Sequence, residues 1–279
     1  MSKKILLMGS DSYVGKSLNE LFLSSNKTIA QFNKIIYDDC SSIEDLQPDI
    51  QNFDIIIYLI HEHSNNINKN KFILSLLLKS ITNKQKLIFI SSSQVTEQND
   101  NNYTKVKKEL EELIKQNLEN FFIIRPCLLV HKKIYNKKIK EQFLITLLTS
   151  IKKKRIAIML NSGNFYLNIV SIEDLFNFIN MVISENLKND TVTLANLKSI
   201  RFKEIVSFIK LEYNFFFIKI TIYLWILKIL SKLFPKKIPS ENIKALKIQE
   251  FNFGNDMERY KYQLKKDNYD ILKTLFKSI

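Results

Sequence analysis

Two textures alternate along the first half of the chain. Short unbroken apolar runs are followed by longer segments with apolar residues every three or four positions. The first run, within residues 3–8, stops at Gly9, and a helical pattern follows over 14–23. TIAQF (28–32) and KIIYDD (34–39) read as short strands, and 42–51 as a short helix interrupted near Pro48. DIIIYLI (54–60), KLIFISS (86–92) and FFIIRP (121–126) are apolar throughout, as strands are when both sheet faces are covered. Helical periodicity fills 72–81 and 103–118 between them.

Strand and helix in alternation predict an α/β fold, a doubly wound parallel sheet of Rossmann type. Ligands of such sheets bind at the carboxyl ends of the strands. Those ends carry Gly9, Asp38 and Asp39, His61, Ser91 to Ser93, and Arg125 with Pro126. Residues scattered along the chain should therefore converge.

Beyond Pro126 the texture changes. Basic runs at 131–140 and 152–155 flank an apolar helix over 143–151. YLNIVSIEDLFNFINMVI (166–183) reads as a strand, a serine-capped turn and a helix, with Ser171 and Asp174 spaced as a capping pair. The expected division is a dinucleotide-binding domain over 1–130, rejoined by 165–195. A smaller, mostly helical C-terminal substrate lobe takes 131–164 and 196–279. Residues 215–234 are strongly apolar, but Lys219, Lys228 and Lys232 interrupt them. The uncharged run is far shorter than the roughly 20 residues a spanning helix needs, so a buried or amphipathic helix is expected. Contact with a membrane surface is a secondary reading.

Composition changes the picture in three ways. The 279 residues are 46% hydrophobic, enough for a large packed core. Cys40 and Cys127 form no disulfide framework, and the N-terminal apolar run is too short for a signal peptide, so a cytoplasmic protein is expected. The net charge is +14, yet Arg125, Arg155, Arg201 and Arg259 are the only arginines. Base readers need arginine forks and stacking aromatics, and no such motif is present, so no nucleic-acid partner is expected.

Candidate chemistry gathers at two places. GSDSYVG (9–15) sits between the first strand and the first helix, where glycines let backbone N–H groups and a helix N-terminus hold a pyrophosphate. The serine-ended strand is followed by YTKVK, which sets Tyr103 and Lys107 four apart on one helical face. Tyr262 with Lys266 and Tyr269 with Lys273 repeat that spacing without the surrounding strand, so the spacing alone decides nothing. His61 and His63 point the same way on an extended segment, but no third ligand is near in sequence and no metal is expected.

In order, these pieces resemble the extended short-chain dehydrogenase/reductase superfamily, in its nucleotide-sugar epimerase, dehydratase and reductase branch. The resemblance runs over roughly residues 3–180 and rests on the glycine turn, the strand 54–60, the serines after 86–90, the Tyr103–Lys107 pair, the Arg125–Pro126 strand end and LNIVSIEDL (167–175). It implies that Tyr103 is the acid/base, favoured as phenolate by Lys107, that Lys107 also binds the cofactor ribose, and that Ser92, with Ser93 as runner-up, bonds the reacting oxygen. Gly9, Ser12, Tyr13, Val14 and Gly15 would hold the pyrophosphate of NADP or NAD, Asp39 the adenine, and His61 would line the crevice. Lys34 stands where a carboxylate would select NAD, and could meet a 2′-phosphate. The resemblance further implies a nucleotide-sugar substrate and a helix-mediated homodimer. Three readings follow from it: a 4-keto-sugar reductase, slightly favoured, a 4-epimerase, or a non-catalytic dinucleotide-binding sensor or scaffold. Ser12 in place of the middle glycine, and the 11-residue step from Ser92 to Tyr103, depart from the family pattern.

Overall fold

The computed structural model describes residues 3–25, 29–32, 50–61, 66–96, 101–131, 143–233 and 255–279. In chain order its elements are β1 (Ile5–Met8), α1 (Tyr13–Ser24), β2 (Ile29–Phe32), β3 (Ile55–Tyr58), α2 (Ile67–Ser80), β4 (Lys86–Ile90), α3 (Asn102–Asn117) and β5 (Phe121–Pro126). Then come β6 (Leu128–Val130), α4 (Phe143–Lys154), β7 (Ile156–Leu160), β8 (Tyr166–Leu167), β9 (Ile169–Ser171), α5 (Ile172–Ser184) and β10 (Asp190–Leu194). The last labelled elements are β11 (Ile200–Arg201), α6 (Phe202–Glu212), β12 (Ile218–Ile222) and α7 (Leu224–Leu233), and two further helices follow, Asn255–Glu258 and Asn268–Ser278. The strand read at 34–39 and the helix read over 42–51 fall mainly outside the described residues; only the 3-10 turn Ile50–Asn52 of that helix is seen. No helix among the described residues is long and apolar enough to cross a membrane.

The chain divides into two compact units, the first comprising 1–129, 172–194 and 256–262. Its centre is a six-stranded sheet in the order β2-β1-β3-β4-β5-β10, with every neighbouring pair parallel. The period-two alternation of a strand sorts the apolar runs between two faces. Leu6, Met8, Ile56, Tyr58, Leu87, Phe89 and Ile123 join one core cluster with Leu74 and Leu77 of α2 and Val106, Leu110 and Ile114 of α3. The intervening residues serve the opposite face, where Phe122 meets Phe178 of α5 and Phe22 of α1 meets Phe176. This is the doubly wound Rossmann arrangement, and it leaves all the strands' carboxyl ends on one side.

The second unit comprises 130–171, 195–255 and 263–279. It holds α4, α6, α7 and the C-terminal helix Asn268–Ser278, with two strand pairs, β7 parallel to β12 and β8 antiparallel to β11. Asn168, Asn196 and Asn268 tie its backbone together from inside: Asn168 Nδ2 donates to the Asn196 carbonyl at 2.7 Å and Asn268 Oδ1 accepts from the Ile169 N–H at 2.9 Å. Residues 215–234, read from the sequence as one helix, divide at Tyr223. FFFIKITI is rich in aromatic and β-branched residues and its Ile218–Ile222 part forms β12, whereas LWILKILSKL favours the helix α7.

A tight steric constraint in the first unit lies where β1 turns into α1. Gly9 has φ +90°, a conformation side-chain-bearing residues rarely adopt. A Cβ on Gly15 would lie 2.2 Å from the Gly9 carbonyl oxygen. The helix can approach the strand this closely only because Gly15 has no side chain. Gly15→Ala should therefore lower stability by roughly 3 kcal/mol in urea unfolding, at the upper end of overpacking costs.

Candidate active site

At the end of β1 the turn is closed by Ser12. Its hydroxyl donates to the Gly9 carbonyl at 2.8 Å and accepts from the Gly15 N–H at 3.0 Å, so Ser12 is the N-cap of α1. The single hydroxyl proton is thereby committed inside the turn. Tyr13 and Val14 open α1, whose N-terminus carries the partial positive charge that favours an anion. Gly9 also lies against the end of β3: a Cβ there would come within 3.2 Å of Leu59.

Two residues further on from Leu59 is His61. Its ring meets the Tyr103 ring edge-on, with centroids 4.9 Å apart and planes at 73°. Tyr103 stands in the first turn of α3, which Asn101 caps by accepting from the Thr104 N–H at 2.7 Å. Ser92, which caps the 3-10 turn Ser93–Val95 after β4, forms a side-chain hydrogen bond with Tyr103. Thus the ends of β3 and β4 and the start of α3 place His61, Ser92 and Tyr103 together.

Lys107, one turn along α3 from Tyr103, is buried. Its ammonium donates to the Ile90 carbonyl at 3.1 Å and lies 4.8 Å from the Phe89 ring centroid and 5.9 Å from that of Tyr103. Burial lowers its pKa to about 8, against the pull of Glu111. For Tyr103 burial also dominates: it raises the phenol above its ordinary range, and the Ser92 bond acts the other way. Without cofactor, burial thus works against the phenolate, and the Ser92 bond only partly offsets it.

Sequence reading missed Glu111. It lies four residues after Lys107, so Tyr103, Lys107 and Glu111 form one stripe along α3. Its carboxylate is buried. It accepts from Ser91 Oγ at 2.5 Å and from Arg125 Nε at 2.9 and 3.2 Å, with a further short contact from Arg125 Nη2. The strand-end residues Ser91 and Arg125 do converge, and the stripe spacing was the signal that would have found their common partner. Lys34, Asp39 and His63 lie outside the described residues.

By sequence the chain matches no family model and no curated protein. By structure it is similar to dTDP-4-dehydrorhamnose reductase from Bacillus anthracis in complex with NADP, at 17% identity and a TM-score of 0.73 over 100% of both chains. It is also similar to dTDP-glucose 4,6-dehydratase from the same organism in complex with NAD, at 13% identity and a TM-score of 0.73 over 99% of this chain and 96% of that one. A third similar structure is the Helicobacter pylori ADP-L-glycero-D-manno-heptose-6-epimerase, at 17% identity and a TM-score of 0.65 over 79% and 85%. At these identities the likeness establishes the fold, which is the one the resemblance in sequence implied.

Removing the Glu111 carboxylate would leave Arg125, about one fifth exposed, and the wholly buried Lys107 without their anion. Glu111→Ala should cost about 3 kcal/mol by chemical denaturation, the lower end of the range for breaking a buried pair, because Arg125 still reaches water.

Proposed function

We propose that this chain is an NAD(P)-dependent enzyme that transfers hydride to a nucleotide-activated sugar, reducing a 4-keto group to an alcohol. The observation that carries the proposal is the grouping of Tyr103 with Ser92 and Lys107 at the carboxyl ends of the sheet, on the same side as the Gly9–Gly15 turn. The similar structures, a reductase with NADP and a dehydratase with NAD among them, support a dinucleotide and a nucleotide sugar as the ligands.

The residues present fit such a cofactor. The Gly9–Gly15 turn admits no Cβ at Gly15 and brings the α1 N-terminus to the strand end, where a pyrophosphate would sit. When bound, the reduced nicotinamide supplies the hydride. The chain's own residues supply the proton and its control. The Tyr103 phenol, held protonated by burial, gives its proton to the sugar carbonyl oxygen, and Ser92 donates a hydrogen bond to that oxygen. The Lys107 ammonium stabilises the phenolate left behind. A protonated tyrosine is the starting state for reduction, whereas a 4-epimerase must begin with the tyrosine as base. The 4-epimerase is the second reading. The proposal includes Lys34 as the contact for a 2′-phosphate, hence a preference for NADPH, and a homodimer in solution.

Incubation with NADPH or NADH and a panel of 4-keto nucleotide sugars tests the reading. Stoichiometric loss of nicotinamide absorbance, faster with NADPH, supports it, and epimer interconversion without net cofactor consumption overturns it. Tyr103→Phe should cut turnover by roughly 10²–10⁴-fold, the typical worth of a positioned proton donor, with cofactor affinity retained. Lys107→Ala should lower both. The pH dependence has a definite sign. The raised phenol stays protonated throughout the neutral range, while the Lys107 ammonium is lost as pH rises through about 8. The kcat/KM for reduction should therefore be level below that pH and fall above it, and a rate that climbs through the same window would mean that Tyr103 acts from its phenolate.

A further inference from the structure

Among the described residues, the second unit exposes an apolar surface on α7 and β12. On α7, Leu227 and Ser231 point inward, while Trp225, Ile229 and Leu233 recur every four residues on the outer side, with Lys228 and Lys232 between them. Trp225 is 62% exposed and Leu233 65%. The preceding strand β12 is exposed as well: Ile218 and Ile220 on one side, Lys219 and Thr221 on the other, and Phe216 just before it is 80% exposed. This inverts the usual surface helix, which shows its polar stripe to water. So many exposed large apolar side chains in one stretch mark an interaction surface.

Charge selects the occupant. Between Glu212 and Glu241 the sequence has five lysines, at 219, 228, 232, 236 and 237, and no carboxylate. A second copy of the same surface would bring Lys219, Lys228 and Lys232 towards their own copies with no carboxylate in this stretch of sequence to neutralise them. An anionic lipid surface would neutralise them and would receive the apolar side chains between the headgroups, where a tryptophan ring is favoured. The ten residues of α7 extend only about 15 Å, half of a bilayer's hydrocarbon thickness, so the helix can lie on a membrane but not span it. We infer that β12 and α7 dock this protein on an anionic phospholipid membrane, with Trp225 at the lipid interface and Lys219, Lys228 and Lys232 contacting headgroup phosphates. The inference does not depend on the proposed chemistry.

Trp225 is the only tryptophan of the chain, so its fluorescence reports on this face alone. The full chain is titrated with vesicles of phosphatidylcholine, and with vesicles in which about one third of the lipid is phosphatidylserine. The expected result is a blue shift of Trp225 emission with the anionic vesicles only, quenched by brominated acyl chains and reversed by salt. Each of Lys219→Gln, Lys228→Gln and Lys232→Gln should weaken partitioning by roughly 5-fold. Unshifted emission, or an equal shift with neutral vesicles, overturns the inference. So does a triple lysine variant that binds as tightly as the parent, which would place the contact elsewhere on the +14 surface. A dimer that Trp225→Glu dissolves, with emission indifferent to vesicles, would show that a second copy covers the face.

Discussion

The candidate site in the first unit depends on the burial of one ammonium, that of Lys107. Moving an ion such as that of Lys107 out of water costs several kcal/mol even after relaxation, and it persists only if its surroundings return most of that. Three groups do so here. The Ile90 carbonyl accepts from it, Glu111 supplies an opposite charge one turn away, and the Phe89 ring offers its face. Glu111 is itself buried and must be satisfied in turn, which Ser91 and the guanidinium of Arg125 accomplish. The chain of compensation ties the ends of β4 and β5 to the middle of α3. Tyr103, on the same stripe, is fixed in position by the same ties.

The sheet was legible because its strands are buried on both faces, and continuous apolar runs such as DIIIYLI are short and rich in β-branched residues, which decides for strand over buried helix. β10 was not, since DTVTL is short, half polar and lies at the sheet's edge, where residues 256–262 contact it: Asp256 accepts from the Thr193 N–H at 3.0 Å, and Tyr260 donates to Asp190. Residues 215–234 misled for a different reason. Apolar residues without strict period satisfy strand and helix equally, and only the change from β-branched to unbranched residues marks the boundary.

The repeated tyrosine–lysine spacing shows what sequence order adds to spacing. Tyr262 donates to the Asp174 carbonyl at 3.0 Å, a tie that fastens a late segment to α5. Tyr269 packs edge-on against Phe208 with centroids 4.9 Å apart, and Lys273 pairs with Glu212 at 3.0 Å on the surface. Only Tyr103 and Lys107 stand beside a strand end with a serine and a buried counter-charge. Glu111 escaped notice because a glutamate in a helix of mixed charge reads as solvated surface, and its burial depends on Arg125, fourteen residues away. His61 was placed in the crevice by its position after β3, but its edge-on contact with Tyr103 required the register of two elements that sequence does not give.

Ser12 bears on the balance between holding and releasing a dinucleotide. A glycine at that position would leave the turn's backbone to the ligand. Here the hydroxyl bridges Gly9 and Gly15, and this bridge takes the Gly15 N–H as well as the serine's own proton. The turn is stiffened by the bond, and one amide of the α1 N-terminus is withdrawn from any anion placed there. What remains for a pyrophosphate is the other amides and the helix dipole, an attraction of modest size that falls off within the first turn. Under the proposed chemistry that loss has a direction. An epimerase must keep its cofactor through both halves of a cycle, whereas a reductase must release it after each turnover. A self-satisfied turn serves the second requirement better than the first, and it does so by the same substitution that departs from the family pattern.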